Sequence, residues 1–108
     1  MSTRLPTGLL IGALLRRVND SGGFGAVLAK GDPQAGGALL LLVDRDGGQR
    51  LVERGIGADG KLCLIDSTPP ADLSDYCRRR RDQDPDLWIV ELNTPDAERF
   101  AAETMLVD

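Results

Sequence analysis

Leu5, Leu9, Leu10, Ala13, Leu14 and Val18 recur at the spacing of three and four that places side chains on one stripe of a helix. Pro6 suits the first turn, Gly22-Gly23 offers a left-handed stop, and Arg16 and Arg17 fall where cations favour the helix dipole. Gly8 and Gly12, four apart, let such a helix approach a sheet closely. Residues 24–30 then read as a strand, and the loop Gly31-Asp32-Pro33-Gln34-Ala35-Gly36-Gly37 carries the Pro and Gly that a reversal needs. The unbroken apolar run over 38–43 predicts a strand buried on both faces. Asp46-Gly47-Gly48 signals a hairpin into a strand over 49–54, where Leu51 and Glu53 face away from Val52. A Gly-rich turn leads to a strand over 61–66.

Ser67-Thr68-Pro69-Pro70 has the pattern of a helix entrance, a hydroxyl cap followed by prolines. In the helix that follows, Leu73, Tyr76, Cys77 and Arg80 share one face. The dense apolar run over 87–92 predicts a strand in a central position, and Thr94-Pro95 repeats the entrance before a short helix marked by Ala97, Phe100, Ala101 and Met105. The order is α-β-β-β-β-α-β-α. It predicts an α+β single domain over residues 1–93, with a mainly antiparallel five-stranded sheet and helices packed on one face. Residues 94–108 are expected to form a short C-terminal helix or a partly disordered tail.

Composition narrows the chemistry. The 108 residues are 42% hydrophobic and 28% charged, the balance of an ordinary globular domain, and they include no histidine. That excludes Ser-His-Asp, Cys-His and histidine-metal arrangements together. The net charge of −4 is uneven: residues 1–54 hold seven Lys/Arg against five Asp/Glu, and residues 55–108 hold six against twelve. An acidic balance disfavours non-specific binding to nucleic acid or anionic lipid. Two cysteines, Cys63 and Cys77, without a CxxC pair make neither a zinc site nor a disulfide framework; free thiols in a reducing cytoplasm are expected. The apolar stretch over 8–15 is too short to cross a bilayer core and lacks a cleavage site after it, so it is read as part of the fold.

Several segments together resemble one bacterial family. They are Arg4-Leu5-Pro6-Thr7, Ala13-Leu14-Leu15-Arg16-Arg17, Gly22-Gly23-Phe24, Lys30-Gly31-Asp32-Pro33 and Asp84-Pro85-Asp86-Leu87-Trp88-Ile89-Val90-Glu91. In this order they are similar to the domain-of-unknown-function family fourteen-ninety-one over about residues 4–92. The resemblance implies no catalytic residue, because the family brings none, and it leaves the tail from Thr94 outside its motifs.

Several motifs suggest chemistry, and each also has a plainer reading. Gly55-Ile56-Gly57-Ala58-Asp59-Gly60 matches GxGxxG, but a strand pattern follows where the dinucleotide fingerprint needs a helix, so a hairpin turn is expected. The loop at 31–36 has the glycines of a P-loop without its Lys and hydroxyl. The element order broadly resembles the PD-(D/E)xK nuclease core, with Asp44 or Asp46, Asp59, Lys61 and Glu91 as the carboxylates and lysine of a metal-assisted hydrolase. Arg78, Arg79, Arg80 and Arg81 form the densest positive run beside Tyr76, although four successive helical positions point in about four directions. Cys77 is expected to pack, and Trp88 is expected in the core with its N–H bonded.

The reading that results is a small cytoplasmic, non-enzymatic protein-interaction module with no cofactor and no metal. Asp32, Arg78, Arg79, Arg80 and Arg81 are its expected contact surface, and the partner is an unidentified protein. A self-paired edge strand would make it a homodimer. The alternative is a nucleic-acid-binding protein or a metal-dependent enzyme of PD-(D/E)xK type.

Overall fold

The computed structural model describes residues 5–107, so Arg4 of the opening motif lies outside the described residues. The first helix, α1 (Thr7–Asp20), buries Leu10, Ile11, Leu14 and Val18. Its inward stripe is rotated from the one expected, since Leu5 and Leu9 are exposed and Ile11 takes their place inside. No side chain caps its start at Pro6. Instead, the N–H groups of Thr7 and Gly8 donate to the carbonyls of Gln34 (3.2 Å) and Pro33 (2.9 Å), and the Thr7 hydroxyl donates to Gly36 O at 2.7 Å. A loop distant in sequence therefore satisfies the orphan donors of the first turn.

Strands β1 (Phe24–Ala29), β2 (Ala38–Val43), β3 (Gln49–Ile56), β4 (Leu62–Asp66) and β5 (Trp88–Asn93) form one sheet in the order β1-β5-β2-β3-β4. β5 inserts between β1 and β2, antiparallel to the first and parallel to the second, while β2–β3 and β3–β4 are antiparallel hairpins. The sheet is thus mixed and mainly antiparallel within a single α+β domain, in the element order read from the sequence. β2 lies at its centre with Leu39, Leu40, Leu41 and Leu42 all buried, and β5 is likewise interior. The loop over 30–37 bridges the start of β5. Gly31 and Gly36 are required there, because a Cβ on either would lie 2.1 or 2.2 Å from Asp86 O.

Helices α1 and α3 (Ala97–Met105) pack on one face of the sheet, where Leu14, Val18, Phe100 and Met105 meet Leu40, Leu42, Val90 and Leu92. Arg17 bonds Glu103 (2.6 Å) and Thr104 Oγ1 (3.3 Å) and lies over the Phe100 ring, tying the two helices together. Side chains alternate along a strand, so Leu39, Leu41, Leu51 and Ile89 form a second cluster on the other face. Helix α2 (Leu73–Gln83) adds Leu73, Tyr76 and Cys77 to that cluster, with no residue of its own fully buried.

Both later helices start beyond their expected entrances. Asp72 caps α2, accepting from Asp75 N at 3.0 Å, and Asp96 precedes α3. Ser67 and Thr68 do other work: Ser67 N donates to Leu51 O (2.8 Å), the Thr68 hydroxyl accepts from Leu51 N (2.9 Å), and the Ser67 hydroxyl donates to Glu53. They prolong the β3 edge contact for two residues past β4. No described helix is long and apolar enough to cross a membrane.

Candidate functional site

The proposed metal carboxylates are scattered. Asp44 and Asp46 sit in the β2–β3 turn, where Asp44 Oδ1 accepts from Asp46 N (3.0 Å) and Gly48 N (2.7 Å). Asp59 and Lys61 sit in the β3–β4 turn, where Asp59 Oδ1 accepts from Lys61 N at 3.0 Å. These turns lie at opposite ends of β3, whose eight residues span roughly 26 Å at about 3.3 Å per residue. Glu91 stands mid-sheet, opposite Ala26 of β1 and Leu41 of β2. Among the described residues no group of three or more Cys, Asp or Glu side chains is placed to hold a metal ion. The PD-(D/E)xK alternative is therefore corrected: the motif's residues are turn-forming carboxylates and a strand residue, held apart by the length of a hairpin.

The glycine motifs resolve as backbone geometry. Gly55 and Ile56 end β3, Gly57 N donates to Lys61 O at 2.8 Å across the hairpin turn, and β4 follows where a dinucleotide site needs a helix. The P-loop-like segment is the loop that caps α1. Asp32 organises it: Oδ2 accepts from Ala35 N (2.8 Å), its carbonyl accepts from the Trp88 indole N–H (2.8 Å), and its own N–H donates to Asp86 O (3.0 Å). Trp88 thus has the hydrogen-bond partner its N–H requires, in a half-buried contact.

The four arginines divide in pairs. Arg78 and Arg79 point outward and share Asp75, Arg79 Nε at 3.2 Å from its carboxylate. Arg80 turns inward to make two 2.9 Å bonds with Glu53 and one of 2.8 Å with the Tyr76 hydroxyl. Arg81 Nη1 donates to the carbonyls of Lys30 (3.1 Å), Pro85 (2.8 Å) and Leu87 (2.7 Å). Two of the guanidinium groups thus hold α2 in place, leaving two on its outer side. The Arg80 guanidinium, ahead of the Ser67 hydroxyl, holds the Glu53 carboxyl below the usual glutamate range against the opposing effect of burial. Burial pushes the Cys77 thiol up, and the positive charge of Arg80 only partly offsets it, so packing and not reactivity describes this cysteine.

Sequence reasoning did not single out Glu53. Its signal was present: a carboxylate alternating with the buried Leu51 on one face of a strand needs a cation to meet it. A cavity of about 330 Å³ lies over the β3–β4 part of the sheet, walled by Leu40, Ile56, Leu62, Leu64, Met105 and Arg54. Arg54 Nη1 donates to Met105 O at the end of α3 (3.3 Å). The ionisable residues on this wall are Arg54 and Glu53, and the Glu53 carboxylate is bonded to Arg80. No nucleophile or carboxylate pair lines it.

A further open feature is β1, which like β4 is an outer strand paired on one side only. Its sequence, Phe24-Gly25-Ala26-Val27-Leu28-Ala29, contains neither charge nor proline. Phe24, Val27 and Leu28 are 57%, 41% and 54% exposed. Natural edge strands are usually blunted by charge or proline, and β1 has only the register break between Val27 and Ala29.

A small α+β domain with a mixed sheet, without metal-binding or nuclease-like motifs among its described residues, is the class that these features define. The family described as "Protein of unknown function (DUF1491)" matches residues 5–102, and the chain belongs to it. The match runs past the quoted motifs into α3. A crystal structure of a DUF1491 family protein from Caulobacter crescentus is similar at 35% identity and a TM-score of 0.79, covering 90% of this chain and 94% of that one. An NMR structure of a DUF1491 family protein from the same organism gives 36% identity and a TM-score of 0.75, with 92% and 94% covered. A solution structure of a protein from A. tumefaciens gives 28% identity and a TM-score of 0.69, covering 85% and 87%. Among curated proteins, none matches the chain.

Proposed function

We propose that this domain is a cytoplasmic, non-enzymatic protein-interaction module and that the outer edge of β1 is its contact surface. The observation that carries the reading is the uncharged, proline-free β1 with Phe24, Val27 and Leu28 exposed. An edge of this kind offers main-chain donors and acceptors to an incoming strand and apolar side chains to cover, the chemistry of β-strand addition. Asp32 supports the scaffold from its loop, and Arg78 and Arg79 are the arginines left to form a polar contact on α2.

Photo-cross-linking tests the reading in cells. Phe24→p-benzoylphenylalanine is expected to give a discrete adduct on irradiation, whether the captured chain is a second copy or a different protein. The same group at Arg99, exposed on α3, serves as the control. An adduct pattern at position 24 no stronger than at 99 would overturn the proposal.

A further inference from the structure

We propose that β1 pairs with β1 of a second copy of this chain, antiparallel about a twofold axis, so that two sheets join into one. The inference rests on the β1 reading above and names its occupant. A twofold contact sets each residue against residues of the same patch, so a self-pairing strand must be compatible with itself. β1 meets this condition, because its charge-free residues bring no like charges together and Phe24 and Val27 are apolar cover on both sides of the contact.

The flanking charges select the antiparallel arrangement. Asp20 ends α1 and precedes Phe24 by one short turn, while Lys30 directly follows the strand. Among the described residues, the ion pairs within the chain involve neither side chain. Antiparallel pairing brings the Asp20 end of one copy beside the Lys30 end of the other, twice over. A parallel pairing would set Lys30 against Lys30.

Asp20 is also out of place within its own chain. A carboxylate in the last turn of a helix opposes the negative end of the helix dipole. A cation from a second copy would offset that conflict. The register break after Val27 confines pairing to the stretch from Phe24 to Val27. So short a ladder makes a weak dimer, with a dissociation constant on the order of 10–100 µM. Gly25 N, which now donates to Asn19 Oδ1 at 3.3 Å, marks a main-chain group at this end of the strand with only a long side-chain bond.

Sedimentation of the full chain from about 10 µM to about 1 mM tests the proposal across that range. The wild type is expected to pass from monomer toward twice the monomer mass. Val27→Lys is expected to remain monomeric, with circular dichroism confirming that it folds. Asp20→Lys, which improves the fit of α1 to its dipole, is expected to weaken association about fivefold through repulsion from Lys30. The double variant Asp20→Lys with Lys30→Asp is expected to restore it.

A wild type that stays monomeric at the highest concentration overturns the pairing, as does a dimer indifferent to Val27→Lys or to the charge exchange. If the chain is monomeric while position 24 captures a different protein in cells, the second copy is refuted and the interaction module stands. If position 24 captures nothing, both fall.

Discussion

On one face of the sheet, α1 and α3 set Leu10, Leu14, Val18, Phe100 and Met105 against Leu40, Val90 and Leu92, all buried. On the other, α2 lays down Leu73, Tyr76 and Cys77, none of them fully buried, and is fixed by polar bonds. Arg80 meets Glu53, with side chains 27% and 24% exposed, and Arg81 meets three carbonyls. The same sheet is therefore covered in two ways. Apolar burial has no direction and tolerates small shifts, whereas a bidentate guanidinium–carboxylate contact fixes one placement and depends on ionisation. The first face carries the larger apolar cluster, although Leu39, Leu41, Leu51, Leu87 and Ile89 are buried on the second. The second fixes where a charged helix lies.

The strongest way to break this contrast is to open the first face. Leu14 is wholly buried, and Leu14→Ala is expected to lose about 3–5 kcal/mol in urea unfolding, the cost of a large-to-small change in a packed core. A loss below about 1 kcal/mol would place the main core elsewhere. On the second face, Glu53→Gln removes the charge but keeps the shape, and is expected to cost about 1–3 kcal/mol at neutral pH.

That second effect depends on pH in a definite direction. The folded-state carboxyl of Glu53 lies below its ordinary value. Its contribution is complete above the ordinary glutamate range and is lost as pH falls through the lowered folded-state value. The stability gap between wild type and Glu53→Gln should therefore be steady near pH 7 and close in acid, as pH falls below the ordinary glutamate range and through the lowered folded-state value. A gap that persists into acid would mean that shape, not charge, holds α2. Labelling of Cys77 by a thiol reagent sharpens the same point. The thiol is raised by burial between α2 and the sheet, so labelling is slow in the wild type and is expected to quicken about tenfold in Glu53→Gln as local opening becomes easier. Equal rates would separate the ion pair from the docking of the helix. The smallest effect belongs to Asp75→Asn, where the exposed contacts to Arg78 and Arg79 are worth no more than about 0.5 kcal/mol in thermal unfolding.

Much of the first face was legible in the sequence because its signals are local. The run Leu39-Leu40-Leu41-Leu42 has no polar residue to turn outward, so only an interior strand accommodates it. The face of α2 carrying Leu73, Tyr76, Cys77 and Arg80 was equally plain from spacing, and it is the face that meets the sheet. What local pattern could not supply was the partner across the chain. Ser67 and Thr68 match a helix entrance, yet they bond Glu53 and Leu51, well away in sequence, and α2 starts at Leu73. Arg80 and Arg81 read as half of a positive run until Glu53 and the carbonyls around the start of β5 came into reach.

The candidate site was less legible for the same reason. Residues 24–30 read as a strand, but edge and interior strands are told apart by pairing order, and β5 inserts beside β1 from the far end of the chain. The metal hypothesis failed similarly. Asp44 and Asp59 are close in sequence, and the eight residues of β3 between their turns hold them apart.

Amide hydrogen exchange at two protein concentrations bears most directly on β1 as the self-pairing edge. Between about 10 µM and about 1 mM, the Phe24-to-Val27 amides are expected to slow severalfold with concentration, while the interior β5 amides stay slow and the outward face of α2 stays fast. Exchange in β1 that is rapid and identical at both concentrations would contradict the account.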